Sequence, residues 1–213
     1  MGFRPEIPPE DLSEKFLTEL FQTSFPVFDT AMHRTLSPRT LGLLVRERSN
    51  GEPEVLLGVK QPGHHGPGKR IATGGKIAKG ETYEEGLARE IYEETRVVIG
   101  PGRTTLVAVL DVYYDLDAGF QNNQRILVYV IKGWHGTPQD SEELADLGWF
   151  PASDLPYDDM WPNEELYLKD LVNGKFPTEK GQILWGAFLF RDSESLTYAH
   201  LMRTSPELFS EER

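Results

Sequence analysis

The sequence contains no cysteine. That absence removes disulfides, zinc–thiolate sites, iron–sulfur clusters and thiol nucleophiles together, and it makes hard, magnesium-like cations held by oxygen the expected metals. Positive charge is also scarce, with 22 Lys and Arg against 34 Asp and Glu and a formal net charge of -12. Without a Lys/Arg-rich run there is no broad cationic face for a nucleic-acid polymer or an anionic membrane, although a local basic pocket for one small phosphate ligand is still allowed. No stretch approaches the roughly 18 apolar residues of a membrane span. Met1 to Asp11 is rich in proline and acid and lacks the apolar run of a secretory signal. A soluble, cytoplasmic protein, monomeric or homodimeric, is the expectation.

With 213 residues, 38% of them hydrophobic and 11% aromatic, one or two domains with a real core fit. Residues 1–38 read as an N-terminal extension: Leu12, Phe16, Leu17, Leu20 and Phe21 recur at helical spacing after Pro8-Pro9. The main domain is expected over 39–213. It opens with two apolar runs, Leu41 to Val45 and Val55 to Val59, joined by Ser49-Asn50-Gly51 as a hairpin turn. Residues 61–80 carry six glycines and form a loop whose backbone lies close to something. Thr82 with Glu85 three positions on makes a capping box, and Tyr83, Leu87, Ala88 and Ile91 give the helix an apolar face through to about Glu94. Further strands are expected over Leu106 to Tyr114, Ile126 to Ile131 and Gly148 to Phe150, a second helix over Asn163 to Val172, and a closing strand pair at Ala187 to Phe190 and Leu196 to Met202. Strands mixed with a few helices favour an α+β sheet sandwich flanked by helices.

The chemistry concentrates between Gly75 and Val97. At about 100° per residue, Glu90, Glu93 and Glu94 fall within an arc of roughly 100°, adjoining the apolar arc of Tyr83, Leu87 and Ile91. On a solvated face such crowding costs little, about 0.2–0.5 kcal/mol per like-charged pair. In a cleft, two charges about 6 Å apart repel by roughly 3 kcal/mol at an effective dielectric near 20, and a cation must offset this. A divalent hard ion does so while keeping waters for a phosphate substrate.

Gly75, Glu81, Arg89, Glu90, Ile91, Glu93 and Glu94 stand at the spacing of the Nudix box, which this segment resembles. Six matching fixed positions at about 7% each arise by chance with a probability of about 10⁻⁵ over the chain, so a merely solvated acidic stripe does not explain them. Arg96 departs from the pattern, standing where the box has its last glycine, which puts the helix exit in question. The resemblance implies that Glu90, Glu93 and Glu94 ligate Mg²⁺ (or Mn²⁺), with the Gly75 carbonyl as a further ligand, and that Arg89 and Glu81 orient the ligating face. It implies water attack on a diphosphate, with a carboxylate inside or outside the box taking the proton.

Val55 to Lys60, Gly74 to Thr82, Gly136-Thr137-Pro138, Glu143, Trp149-Phe150 and Asp159-Met160-Trp161-Pro162 further resemble the oxidised-purine nucleoside triphosphatases, the MutT-like 8-oxo-dGTP diphosphatase branch, over residues 40–203. That likeness implies a nucleoside triphosphate cleaved to monophosphate and pyrophosphate, with Trp161 as a stacking face for a purine, Lys60 at the pocket rim and Glu143 as an extra acidic group near the metals. An indole suits that task, at about 1–3 kcal/mol per stacked base. Base reading departs from the branch. Asn163 and Glu164 follow Trp-Pro where the relatives have two aspartates, and Ile71 or Ala72 stands where they have a loop asparagine. Other diphosphate-linked nucleotides, such as ADP-ribose or a dinucleoside polyphosphate, therefore stay open, as does a non-catalytic nucleotide-binding module. His64 and His65 lie in the Gly/Pro loop and are expected to face solvent; of Tyr113 and Tyr114, one is expected to line the pocket and the other to pack outside it.

Overall fold

Asn50 and Gly51 reverse the chain between the first two strands as their residue types dictate: Gly51 takes a positive φ of 81° and the Asn50 side chain accepts the Glu52 N–H at 3.0 Å. The computed structural model describes residues 36–64, 66–114, 123–191 and 195–209. The expected helix over Leu12 to Phe21, and His65, lie outside them.

The hairpin joins β1 (Ser37–Glu47) to β2 (Pro53–Lys60), with Val45 opposite Val55. β1 is longer than its apolar run because its first half, from Ser37 to Leu44, pairs in parallel with β6 (Gln124–Ile131). One strand thus serves two ladders. With β3 (Arg70–Ile71), β5 (Thr104–Tyr114), β8 (Leu144–Pro151), β9 (Ile183–Phe190) and β10 (Leu196–Thr204), a mixed eight-stranded sheet runs in the order β10-β9-β5-β6-β1-β2-β3, with β8 on β2. A separate two-stranded pair, β4 (Val98–Ile99) with β7 (Trp134–His135), has too little apolar run to be read from sequence.

Between β3 and β4, helix α1 (Tyr83–Thr95) starts where the capping box places it: Glu85 donates its N–H to Thr82 Oγ1 at 3.2 Å, and Thr82 donates its N–H to Glu85 Oε2 at 2.8 Å. Its buried Leu87 and Ile91 lie on β1 at Gly42, where an added Cβ would stand 2.7 Å from Ile91 Cδ1. Only a residue without Cβ lets helix and strand approach so closely. The exit departs from the box glycine without losing its geometry. Arg96 itself adopts the left-handed conformation, φ 63° and ψ 13°, and donates its N–H to the Tyr92 carbonyl at 2.9 Å.

The expected helix over Asn163 to Val172 is corrected to two pieces, a 3₁₀ turn at Glu164–Leu166 and the short α2 at Leu168–Val172. Tyr167 leaves the helical region between them, at φ −138°, and its ring lies in the core 5.8 Å from that of Phe188. Burial of that aromatic outweighs the continuity of one short helix. No described helix is long and apolar enough to cross a membrane.

Candidate active site

On the sheet face that carries Leu43, Val45, Val112 and Val128 lies a cavity of about 440 Å³. The alternation of side chains along each strand sends Leu41, Val112, Tyr114, Ile126 and Phe190 to its floor. The segment 161–167 closes it from above with Trp161, Asn163, Glu164 and Tyr167, and one end is formed by Gly74, Gly75, Glu90, Glu93 and Glu143. Acidic residues of the box and the tryptophan segment, some 70 positions apart in sequence, therefore face one space. Tyr114 lines it while Tyr113 is buried in the core cluster on the other side of the sheet.

Arg89 organises the acidic end. Its Nε donates to Glu81 Oε1 at 2.7 Å, Nη1 to Glu90 Oε1 at 2.9 Å and to Glu93 Oε2 at 3.0 Å, and Nη2 to the Lys76 carbonyl at 2.9 Å. A rigid fork of five donors suits this task, and lysine could not perform it. Bonds from Arg89 and the Ala78 amide hold Glu81 down at about 2, fixing it as an anion that anchors the guanidinium.

Glu94 is arranged differently from its two neighbours. It follows Ile91 by three positions and Leu87 by seven, so it shares their buried stripe, and it is 1% exposed. Glu94 Oε1 accepts from Lys60 Nζ at 2.9 Å and Oε2 from the Gly74 N–H at 2.8 Å. Burial pushes this carboxyl up to about 7 against the opposing pull of Lys60 and the Gly74 amide. Lys60 is likewise buried rather than at a rim. Burial lowers its pKa, but the charges and hydrogen bonds of Glu94 and Glu143 outweigh this and raise it overall. Glu143 accepts from Lys60, and its Oε1 lies 3.2 Å from His64 Nδ1, so that histidine faces a carboxylate rather than bulk solvent alone.

The donor set suits a hard divalent ion. Glu90, Glu93 and Glu143 supply carboxylate oxygen to one space, and the Gly75 carbonyl, which accepts the Thr40 N–H at 2.9 Å, keeps its second lone pair. A Cβ on residue 75 would stand 2.4 Å from the Glu90 carboxyl carbon, so backbone and carboxylate are held in contact by the glycine. Among the described residues no three acidic or histidine side chains are gathered into a ready ion cage; Arg89 holds Glu81, Glu90 and Glu93, and Lys60 holds Glu94 and Glu143.

At the other end, Trp161 crosses the ring of Phe190 edge-on at 6.4 Å, with Lys69 Nζ 5.7 Å from the indole centroid. Glu164 Oε2 accepts the Trp161 N–H at 3.1 Å. Complete burial pushes the Glu164 carboxyl up to about 8, so near neutral pH it is protonated and can donate as well as accept. Asn163 is buried beside it, and Ile71 gives the wall an aliphatic surface at that loop position. Sequence reasoning missed Arg39 and Gln124, which also line the cavity. Strand alternation from Leu41 and Ile126 was the signal that could have found them.

The family model described as the NUDIX domain matches residues 37–171. The chain belongs to the Nudix family. With the family it is a hydrolase of the pyrophosphohydrolase kind, and Nudix hydrolases generally use divalent metal ions. It is 30% identical over 142 residues to an oxidized purine nucleoside triphosphate hydrolase of Mus musculus, covering 67% of this chain and 82% of that one. To the protein of the same name in Danio rerio it is 28% identical over 121 residues, 57% of this chain and 73% of the relative. The crystal structure of the mMutator MutT protein from Bacillus halodurans superposes with a TM-score of 0.59 at 19% identity, covering 78% of this chain and 97% of that one, a likeness of fold. The Nudix box thus lies on α1 and the loop before it, and Arg96 is its one departure.

Proposed function

We propose that this Nudix hydrolase is a Mg²⁺-dependent nucleoside triphosphate diphosphatase that releases pyrophosphate and a nucleoside monophosphate by attack of water. The observation that carries this reading is that one cavity has an acidic end and, at its other end, Trp161, Asn163 and Glu164. A phosphate chain with its ion belongs at the first end and a base at the second. The names of the mouse and zebrafish relatives point the same way, towards an oxidised purine nucleoside triphosphate as substrate.

Glu90, Glu93 and Glu94, with the Gly75 carbonyl, would hold the ion. Glu94 joins them if Lys60 shifts its weight to Glu143, which it already contacts. The ion, when bound, polarises phosphoryl oxygen and lowers the pKa of water. Arg89 and Glu81 keep the box carboxylates in position, and Glu143 stands where it can take a proton from water entering the cavity. Trp161 offers its indole to the base.

Product analysis on a nucleotide panel with Mg²⁺ tests this. Pyrophosphate and monophosphate from triphosphates, with the oxidised purine preferred, are expected. Because Asn163, Glu164 and Ile71 or Ala72 depart from the pattern of the branch this chain resembles, ADP-ribose and dinucleoside polyphosphates belong on the panel. Cleavage of those in place of triphosphates would overturn the substrate, and no turnover of any nucleotide would overturn the enzymatic reading.

A further inference from the structure

One charged side chain in the cavity has no part in the chemistry above. Arg39 stands near the start of β1, paired with Ile126 of β6 on one side and bridged to Lys76 on the other. By alternation it shares the face of Leu41, Leu43 and Val45, which is the cavity floor. Its Nε is buried and has no hydrogen-bond partner among the described residues. A buried donor without an acceptor is costly and rare in a folded protein, and at a ligand cavity the missing acceptor is one the ligand brings. Burial is the largest influence on this guanidinium and lowers its pKa, with Tyr114, Glu90 and Glu143 acting in the other direction.

The surroundings select among the parts of a nucleotide. A phosphate chain belongs with Glu90 and Glu93, where an ion neutralises it. Arg39 shares an apolar and aromatic floor with Leu41, Ile126 and Tyr114, between the acidic end, whose Glu90 and Glu143 act on it, and the segment of Trp161 and Asn163. A guanidinium only donates, and its fork matches two adjacent acceptors. The O6 and N7 of a 6-oxopurine form such a pair, whereas a 6-aminopurine presents a donor at the same edge.

We propose that Arg39 reads the base, donating to the acceptor edge of a 6-oxopurine and rejecting a 6-aminopurine. This rests on the nucleotide-hydrolase reading and assigns its specificity to a residue of β1 outside the box. In such a site, Asn163 and the protonated Glu164 meet other atoms of the same base, and the 8-oxo form still presents O6.

Calorimetric titration of GMP and AMP without metal, on wild type, Arg39→Met and Arg39→Lys, tests it, alongside turnover of GTP and ATP with Mg²⁺. Wild type is expected to favour the 6-oxopurine by about 10- to 100-fold, and both variants, confirmed folded by thermal melts, to bring that ratio within about threefold. Lysine keeps the charge and loses the fork, so full rescue of selectivity by Arg39→Lys overturns the proposal. Equal weakening of both nucleotides in Arg39→Met overturns it too, since that marks a phosphate contact, and so does a wild type without preference. Failure of the enzyme reading looks different: wild type then neither binds nor hydrolyses any nucleotide, and this inference falls with it.

Discussion

A carboxyl group sealed in a pocket keeps a proton that its solvated counterpart loses. Glu164 is 4% exposed, and its carboxyl is pushed up to about 8 from an ordinary value near 4.5. The folded state therefore holds the proton more tightly than the unfolded chain does. Its contribution to stability is fully present below about 4.5 and is lost as pH rises towards about 8. Glu164→Gln mimics the protonated group, can still accept the Trp161 N–H, and does not titrate. The expected outcome is a melting temperature that, relative to wild type, rises on going from pH 5 to pH 8 by on the order of 5 °C or more. Differential scanning calorimetry at those two pH values checks it, and parallel melting curves would show that Glu164 ionises freely. Comparing the two proteins cancels the titration of Glu94, which is common to both. Little of this was legible in the sequence, because Asn163 and Glu164 read only as departures from an aspartate pair, and burial is a property of the fold. Arg96 teaches the converse: its place at the box glycine looked like a fault in the helix exit, yet the backbone keeps the left-handed turn with an arginine in it.

Elements held by neighbours in sequence were legible, and those set by distant partners were not. Helix α1 starts at its capping box because both bonds span only three residues, and the first hairpin forms because Asn50-Gly51 turns the chain. The break at Tyr167 depends on a ring that finds Phe188, some 20 positions later. The parallel run of β1 on β6 likewise depends on a strand that begins about 80 residues on. The same distinction bears on the carboxylates. Spacing alone put Glu90, Glu93 and Glu94 on one arc, but it could not show that Glu94 is buried behind Lys60 and Gly74 while Glu90 and Glu93 line the cavity directly. The loop before α1 supplies the other half of the acidic end, through Gly75 against Glu90. Gly75→Ala is expected to push the Glu90 carboxylate aside, since the new Cβ would meet only the end of that flexible side chain. Turnover should fall by about 10²-fold, with a loss of stability of about 1 kcal/mol or less. Steady-state kinetics beside urea denaturation separates the two effects. A fully active variant would remove Gly75 and Glu90 from the reacting geometry.

At the scale of the molecule, a chain of net charge -12 brings five of its carboxylates, Glu81, Glu90, Glu93, Glu94 and Glu143, together beside the cavity end. Arg89 and Lys60 offset part of that charge, but Arg89 divides its donors among Glu81, Glu90 and Glu93, and Lys60 divides its own between Glu94 and Glu143. Counting Arg39 and Lys76, which also line the cavity, four cations face five carboxylates, so negative charge stays narrowly in excess in a partly enclosed space. A divalent ion that binds there meets a site present only in the folded state, because the box on α1, Gly75 and Glu143 come from separate parts of the chain. Binding must then raise stability by mass action, by about 2.7 kcal/mol when the free ion is at 100 times its dissociation constant. For a chain of this size that is a rise in melting temperature of roughly 5–10 °C. Mg²⁺ should produce it without nucleotide present, KCl at matched ionic strength should not, and Glu90→Gln should reduce it, since the amide has lost the charge that attracts the ion. Chelation should reverse the shift. A melting temperature that responds to Mg²⁺ no more than to KCl would mean that arginine and lysine already suffice for these carboxylates and that no ion is held there.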